Sequence, residues 1–225
     1  EIYSINKSIA FYEISKIKKF SEINESINLI EKALKLRHYF SPYVSCYIDL
    51  LIENNNLSKA KKYFQKVWAH SPYPDYKEEI KKLSTKMKIS FSQLTEYIIG
   101  SSKNIPESKI LLAESLIEDQ NWSDAKKQLR PLLDHKPSKK VCLLMSQIEE
   151  SESNDPQKIN AWISRSNFGE LNKIWICRIS NLSQEKWTSV SKSGYFNSLV
   201  WKKPISLNEL PSSDIESNII SYINN

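Results

Sequence analysis

Four acidic side chains occupy equivalent positions in two related segments and could bind cationic groups of a partner. Asp49 and Glu53 lie four residues apart, and Glu114 and Glu118 repeat that spacing 65 residues later. Residues four apart share a helix face, so each pair would present two carboxylates on one side. Because the pairs are equivalent, neither Glu53 nor Glu118 is interpreted as a lone catalytic carboxylate. We therefore predict an acidic groove that favours a partner segment carrying Lys or Arg.

The other residues that could do chemistry do not form a catalytic set. Cys46 and Cys142 fall in helical segments, which predicts small buried side chains. A structural role near the repeat ends is predicted for the three histidines, His38, His70 and His135. No nucleophile, base and orienting group converge in the sequence. We predict a non-catalytic protein without a cofactor; an enzyme with its active site in the groove is the alternative from another class.

An internal repeat would position the carboxylates. Segment 51–72 returns as segment 116–137, with 10 of the 22 aligned positions identical. In each copy a polar turn leads into a helix whose small residue, Ala60 or Ala125, lies 12 positions before a proline. That spacing is typical of the second helix of a tetratricopeptide repeat, whose period is about 34 residues. Two such periods separate the copies, so a degenerate unit is predicted at 73–104.

The predicted fold class is mostly α, a right-handed tetratricopeptide-repeat superhelix, or α-solenoid. We expect the array to span 1–168, a small β ribbon to span 169–204, and a tail with a short terminal helix to span 205–225. The hydroxyls of Ser58 and Ser123 are predicted to cap second helices. In such arrays the first helix of each pair lines the concave face. Repeat register there predicts the partner-binding residues Ser45, Asp49, Glu53, Ile110, Glu114 and Glu118.

The composition narrows the class of partner. The formal net charge is +6, and lysines crowd the segments 59–66 and 77–88. We interpret them as solvated helix faces, with attraction to anionic lipid or an acidic partner as the alternative. No nucleic-acid module accompanies the charge, so nucleic acid is not expected. Three cysteines cannot form a disulfide framework, which favours a reducing compartment.

Two stretches resemble the HemY family of bacterial tetratricopeptide proteins. Residues 66–75, which contain Trp68-Ala-His-Ser-Pro-Tyr-Pro-Asp75, are similar to that family's segment ending W-x-x-x-P-x-P-D. The run Leu129-Arg-Pro-Leu-Leu133, with the helix that follows, resembles the family's last full repeat. The likeness covers about residues 1–204, and the tail from Ile205 onward matches nothing in the family.

The resemblance implies a protein-binding scaffold associated with haem and porphyrin biosynthesis at the bacterial inner membrane. Its partners would then be enzymes of tetrapyrrole biosynthesis. Family members are anchored by an N-terminal hydrophobic hairpin, which this chain does not contain, and the soluble region is expected to face the cytoplasm. The alternative is an adaptor in lipopolysaccharide assembly, because another bacterial family also joins such repeats to a rubredoxin-like ribbon.

The resemblance also implies that the ribbon descends from a zinc-binding module. The family's ribbon commonly carries two C-x-x-C pairs, which here read Cys177-Arg-Ile-Ser180 and Ser191-Lys-Ser193-Gly. A structural zinc ion needs four thiolate or imidazole ligands, and a neutral serine hydroxyl is a poor replacement. We therefore expect a degenerate, metal-free, rubredoxin-like ribbon that is held by the packing of its tryptophans.

Overall fold

A computed structural model of the 225-residue chain describes residues 2–134 and 136–204, and within them the fold is mostly helical. The helices of this part are α1 (Ile2–Lys18), α2 (Ile23–Leu36), α3 (Ser41–Glu53), α4 (Leu57–His70), α5 (Lys77–Met87), α6 (Phe91–Ile99), α7 (Pro106–Glu118), α8 (Trp122–Leu129), α9 (Lys139–Glu152) and α10 (Pro156–Ser166). Consecutive helices pack as pairs joined by short turns. None of these helices is long and apolar enough to span a bilayer.

The turn inside a helix pair recurs along the chain with the period of a tetratricopeptide repeat. Asn55, Lys88, Gln120 and Asn154 all have left-handed backbones, with φ between +48° and +61°, at spacings of 33, 32 and 34 residues. After the first three, the next backbone N–H reaches back five residues to a carbonyl, at 2.8–3.2 Å. This is the Schellman-type end of a helix. The predicted repeat array is therefore confirmed, and the segment predicted as a degenerate unit contains the pair α5 and α6.

Small residues are buried in the core of the helix pairs. Ala60 and Ala125, the predicted small positions, are both fully buried. Between α1 and α2, Ser15 Oγ donates to Ser26 O at 2.9 Å and Ser26 Oγ donates to Ser15 O at 2.7 Å. Two hydroxyls that bond the opposite backbone require close helix axes, so small residues set the spacing within pairs.

The N-cap positions predicted for the second helices were wrong. The N-caps of α4 and α8 are Asn56 and Asn121, so Ser58 lies inside a helix rather than at its cap. The side chain of Asn121 accepts a hydrogen bond from the N–H of Asp124, which is the capping contact expected of serine. Helix α8 ends at Leu129, and a 3₁₀ turn that contains Pro131 follows, because proline lacks the N–H that a continuing helix needs.

The chain divides into two compact units, one ending at Glu170 and the other beginning at Leu171. The described part of the second unit contains an antiparallel sheet of β1 (Ile174–Cys177), β2 (Ser183–Gln184) and β3 (Leu199–Lys202), in the order β2-β1-β3. The predicted β ribbon is present, while the domain bounds drawn from the sequence stay predictions. The predicted terminal helix and His135 lie outside the described residues.

Candidate functional site

The four predicted carboxylates lie on the first helices of their pairs, and each forms an ion pair with lysine. On α3, Asp49 Oδ1 lies 3.0 Å from Lys82 Nζ of α5, and Glu53 Oε1 lies 2.7 Å from Lys19 Nζ. Hydrogen bonding to Asp49 raises the pKa of Lys82. The acidic side of α3 is therefore neutralised by lysines that lie about thirty residues away in the sequence.

The carboxylates of α7 are paired more tightly. Glu114 is only 7% exposed, and its two oxygens lie 3.5 Å from Lys77 Nζ and 2.8 Å from Lys140 Nζ. Glu118 lies 2.7 Å from Lys81 Nζ, and hydrogen bonding to Lys81 lowers the pKa of this carboxyl. A carboxylate as buried as Glu114 would be costly without such cations, so these contacts are structural as well as electrostatic.

Helix α5 connects the predicted residues into one surface. Its Lys82 binds α3, and its Lys81 binds α7, so the helix of the degenerate repeat lies between the two predicted pairs. We call this surface the charged row, which consists of Lys19, Asp49, Glu53, Lys77, Lys81, Lys82, Glu114, Glu118 and Lys140. The lysines of α5 were interpreted from sequence as a solvated face; Lys81 and Lys82 are exposed and also pair with carboxylates, whereas Lys77 is half-buried. The charged row is not the predicted acidic groove.

Ser45 and Ile110 complete the predicted set without joining the ion pairs. Both are half-buried, and each stands four residues before the first carboxylate of its helix. Ser45 faces α5, where its hydroxyl is one of the groups that lower the pKa of Glu79 against the larger effect of burial, which raises it. The structure therefore places Ser45 near the charged row and gives Ile110 a packing position on α7.

A cleft of about 480 Å³ opens in the charged row between α3 and α5. It is lined by three carboxylates, three lysines and two uncharged residues: Asp49, Glu53, Glu78, Lys81, Lys82, Lys86, Ile52 and Thr85. Asp49, Glu53, Lys81 and Lys82 are already engaged within the chain. Glu78 and Lys86 form no ion pair with another described residue, so one charge of each sign is available at the cleft.

A second, smaller concavity lies on α4 and is basic. It is lined by Ser58, Lys59, Lys62, Tyr63 and Lys66. Lys59 is bound to Glu31 at 3.0 Å, which leaves a short lysine stripe along one helix face. The stripe agrees with the interpretation of lysines 59–66 as a solvated face.

In the ribbon, the residues at the positions of the expected zinc ligands form hydrogen bonds with serine side chains. Ser180 Oγ and Ser193 Oγ lie 2.7 Å apart, and the Cys177 thiol donates to Ser198 Oγ at 3.3 Å. Burial raises the pKa of Cys177, but hydrogen bonds with Ser180 and Ser198 bring it down to about 6. Over the residues that the structure describes, no group of three or more His, Cys, Asp or Glu side chains could hold a metal ion.

The structure also places the cysteines and histidines for which the sequence predicts structural roles. Cys142 is buried as predicted, and Cys46 is half-buried. His70 Nδ1 lies 2.8 Å from the Lys66 carbonyl, and its ring stacks on Tyr39 with centroids 4.8 Å apart. Both contacts are structural, in agreement with the role predicted for the histidines at repeat ends.

Comparison with known proteins gives distant structural likenesses. No family model matches the chain, and no curated protein matches it. Among solved structures, a MamA RS-1 ArsTM double mutant is 12% identical with a TM-score of 0.37, covering 72% of this chain and 93% of that one. YrrB, described as a TPR protein with an unusual peptide-binding site, is 12% identical with a TM-score of 0.37, covering 71% and 84%.

The Pseudomonas aeruginosa protein pilF is 14% identical, with a TM-score of 0.36, covering 69% of this chain and 73% of that one. Likenesses of this size carry no statement about binding. The assignment to the mostly α, tetratricopeptide-repeat class rests on the helix pairs of the described residues and on their recurring left-handed turn.

Proposed function

We propose that the protein is a non-catalytic scaffold that binds a segment of a partner protein at the cleft between α3 and α5. The observation that carries the proposal is the charge state of the cleft. Most of its ionic groups are already paired, while Glu78 and Lys86, eight residues apart on α5, are not. A helix rise of 1.5 Å per residue separates these two groups by about 12 Å, the span of three or four extended residues.

This arrangement revises the expected chemistry of the partner. A groove of unpaired carboxylates would attract any basic segment, but the carboxylates of the charged row are engaged with lysines. The cleft instead suits a segment with a basic group for Glu78 and an acidic group for Lys86. Such paired complementarity governs orientation and encounter more than final affinity.

The lining of the cleft supports a binding role over catalysis. Thr85 is the one lining residue with a hydroxyl, and no lining residue is a histidine or cysteine that could activate it. The lining carboxylates Asp49 and Glu53 are each paired with a lysine, which suits an ion pair and not a general acid. An enzyme with its site in the groove remains the alternative from another class.

We further propose that the partner belongs to haem or porphyrin biosynthesis at the bacterial inner membrane, with the array on the cytoplasmic side. The support for this assignment is the resemblance of residues 66–75 and 129–133 to the HemY family. The partners would be enzymes of tetrapyrrole biosynthesis. An adaptor in lipopolysaccharide assembly is the second candidate, because the repeats are followed by a ribbon.

Site-specific photo-cross-linking tests the position of the binding surface. A photoreactive residue at Thr85, which is exposed in the cleft, should cross-link a partner in cells. The matched control is the same residue at Lys127, which is exposed on α8. Identification of the product by mass spectrometry then distinguishes a tetrapyrrole enzyme from a lipopolysaccharide enzyme. Equal cross-linking at both positions, or none at Thr85, would reject the cleft.

Charge reversal at Asp49 and Glu114, two of the predicted partner-binding residues, is unsuitable as a test of this surface. Reversal at Glu114 would bring a third cation to Lys77 and Lys140 in a nearly buried site. Breaking a buried pair costs about 3–5 kcal/mol, so lost binding would report lost folding. Glu78 and Lys86 can be reversed without that penalty because both are exposed.

A further inference from the structure

One face of α4 carries a row of lysines that outnumber their carboxylate partners. Lys59, Lys62 and Lys66 stand three and four residues apart, and all three are exposed. Residues at these spacings lie on one side of a helix. Lys59 is the one member of the row that is paired, at 3.0 Å from Glu31, so Lys62 and Lys66 have no carboxylate partner among the described residues.

The lysines border the concavity of about 460 Å³ on α4, which also contains hydroxyl groups. Ser58 is exposed at its N-terminal end. Tyr63 packs edge-on against Tyr47, with centroids 4.9 Å apart, and its hydroxyl forms no hydrogen bond with another described residue. Ammonium and hydroxyl donors together suit a carboxylate ligand. We call this surface the α4 stripe, which consists of Ser58, Lys59, Lys62, Tyr63 and Lys66.

The carboxylate at one end of the α4 stripe is already engaged. Glu31 Oε1 accepts hydrogen bonds from the Tyr47 hydroxyl at 2.7 Å and from Lys59 Nζ at 3.0 Å. Burial acts to raise the pKa of Glu31, but these hydrogen bonds and the charges of Lys59 and Lys35 hold it below its usual value. Lys35 of α2 therefore adds to the positive field of the same surface. Four lysines face one carboxylate here, which leaves an excess of positive charge.

We propose that the α4 stripe, which is solvated in the free chain, binds an acidic helix of a partner protein. Charge complementarity selects the sign of the occupant, and the lysine spacing selects its form. The three lysines rise along α4 by about 4.5 Å and then about 6 Å. Carboxylates three and four residues apart on a second helix rise by the same amounts. An extended strand would place them about 6.7 Å apart, which does not match the first interval.

The α4 stripe suits a protein better than a lipid surface. Helix α4 has no exposed large apolar side chain. Binding of a helix to a membrane interface depends on the apolar area that it buries as well as on charge attraction, so the stripe lacks one of the two contributions. The stripe also shares no lining residue with the cleft between α3 and α5. An acidic helix on α4 is therefore a separate contact from the segment proposed at the cleft, and either can fail without the other.

Fluorescence anisotropy of a labelled peptide, titrated with the full chain at low salt, tests the proposal. The probe is an alanine-rich helical peptide with glutamates at positions i, i+3 and i+7, and a scrambled peptide of the same composition is its control. Lys62→Glu/Lys66→Glu should weaken binding about tenfold or more, because two attractions become repulsions. The matched variant Lys103→Glu/Lys139→Glu alters the net charge equally at two exposed lysines, and its affinity should change less than about twofold.

Three results of this titration would overturn the proposal. They are equal weakening by the two variants, equal affinity of the native chain for the spaced and the scrambled peptide, and no binding of the spaced peptide. Circular dichroism of both variants verifies the fold. Vesicles of phosphatidylserine and phosphatidylcholine provide the comparison with a membrane. Co-sedimentation that Lys62→Glu/Lys66→Glu abolishes, without peptide binding by the native chain, would assign the stripe to lipid and reject the acidic helix.

Removal of the engaged carboxylate tests the α4 stripe in the opposite direction. Glu31→Gln releases Lys59 from its ion pair and should tighten binding of the spaced peptide several-fold. Asp124→Asn is the matched control, because it also removes one carboxylate and releases Lys127 on α8, and it should leave the affinity unchanged. Unchanged or weaker binding by Glu31→Gln would contradict the proposal, since a cation released within the stripe must attract an acidic helix.

Discussion

Glu79 is a carboxyl group that the fold shields from solvent without fully pairing it. Its Oε2 atom is inaccessible and has no hydrogen-bond partner among the described residues. Burial raises the pKa of Glu79 and the nearby Asp49 raises it further, while a backbone hydrogen bond, Ser45 and Lys82 oppose the shift. The ionised form of Glu79 is therefore less stable in the folded chain than in the unfolded one.

The sign of this shift gives a pH dependence. A carboxyl whose pKa is raised on folding does not destabilise the protein below its unfolded pKa of about 4.3, and the penalty develops as the pH rises through the folded value. Glu79→Gln should therefore raise the urea midpoint of unfolding at pH 8. It should also reduce the difference between the urea midpoints measured at pH 5 and at pH 8. Glu78→Gln, at the exposed neighbouring position, should change neither quantity. Equal effects of the two variants would show that Glu79 is not penalised by burial.

Single residues show what the sequence could and could not predict. The small positions Ala60 and Ala125 were found from repeat identity, and both are buried. The caps were assigned to Ser58 and Ser123, whereas the N-cap positions are Asn56 and Asn121, and of these two the side chain of Asn121 accepts a capping hydrogen bond while that of Asn56 does not. Local chemistry therefore left the N-cap position of each helix two residues off.

At the scale of elements, the helices follow from periodicity, whereas the ion pairs between them do not. The bounds of α4 and α7 match the sequence pattern because proline and the recurring turn mark them. The pairing of Lys82 with Asp49 depends on which face of α5 turns toward α3, and the two residues lie 33 positions apart. The degenerate repeat gives too little identity to predict that face, so the charged row was missed.

Helix packing within a pair gives a stability prediction. Replacing Ala60 or Ala125 by Leu should lower the free energy of unfolding by about 1–3 kcal/mol, because each site is already fully packed. Ala69→Leu is the control on α4, since Ala69 is exposed. Urea denaturation of the three variants provides the measurement. Unchanged midpoints for both core variants would contradict the close approach of the paired helices.

The ribbon gives a prediction about metal content. The Ser180–Ser193 and Cys177–Ser198 hydrogen bonds occupy the side chains that a zinc ion would need. We expect less than about 0.1 zinc per chain after dialysis, because one thiol cannot supply a four-ligand site. Elemental analysis of the purified chain measures this directly. A zinc content near one per chain would contradict the account and point to ligands from outside the described residues.

At the scale of the whole molecule, some of the basic side chains are paired within the chain and others are not. The net charge of +6 suggests an acidic or lipid partner, yet much of the lysine content of α5 is engaged with carboxylates of α3 and α7. The array thus presents a surface of mixed charge in which a few groups are free. Composition alone cannot reveal this, because ion pairing between distant helices is a property of the folded chain.

The central claim is that the cleft between α3 and α5 binds a partner segment through Glu78 and Lys86. Cross-linking at Thr85 identifies the partner segment, which is then prepared as a free peptide. Calorimetric titration at low salt measures the affinity of this peptide for the charge-swapped variant Glu78→Lys/Lys86→Glu. The control Asp124→Lys/Lys127→Glu swaps an exposed pair on α8 and also preserves the net charge. We predict a loss of about tenfold for the cleft variant, or about 1.4 kcal/mol, and less than about twofold for the control. Equal affinities for the two variants would contradict the account.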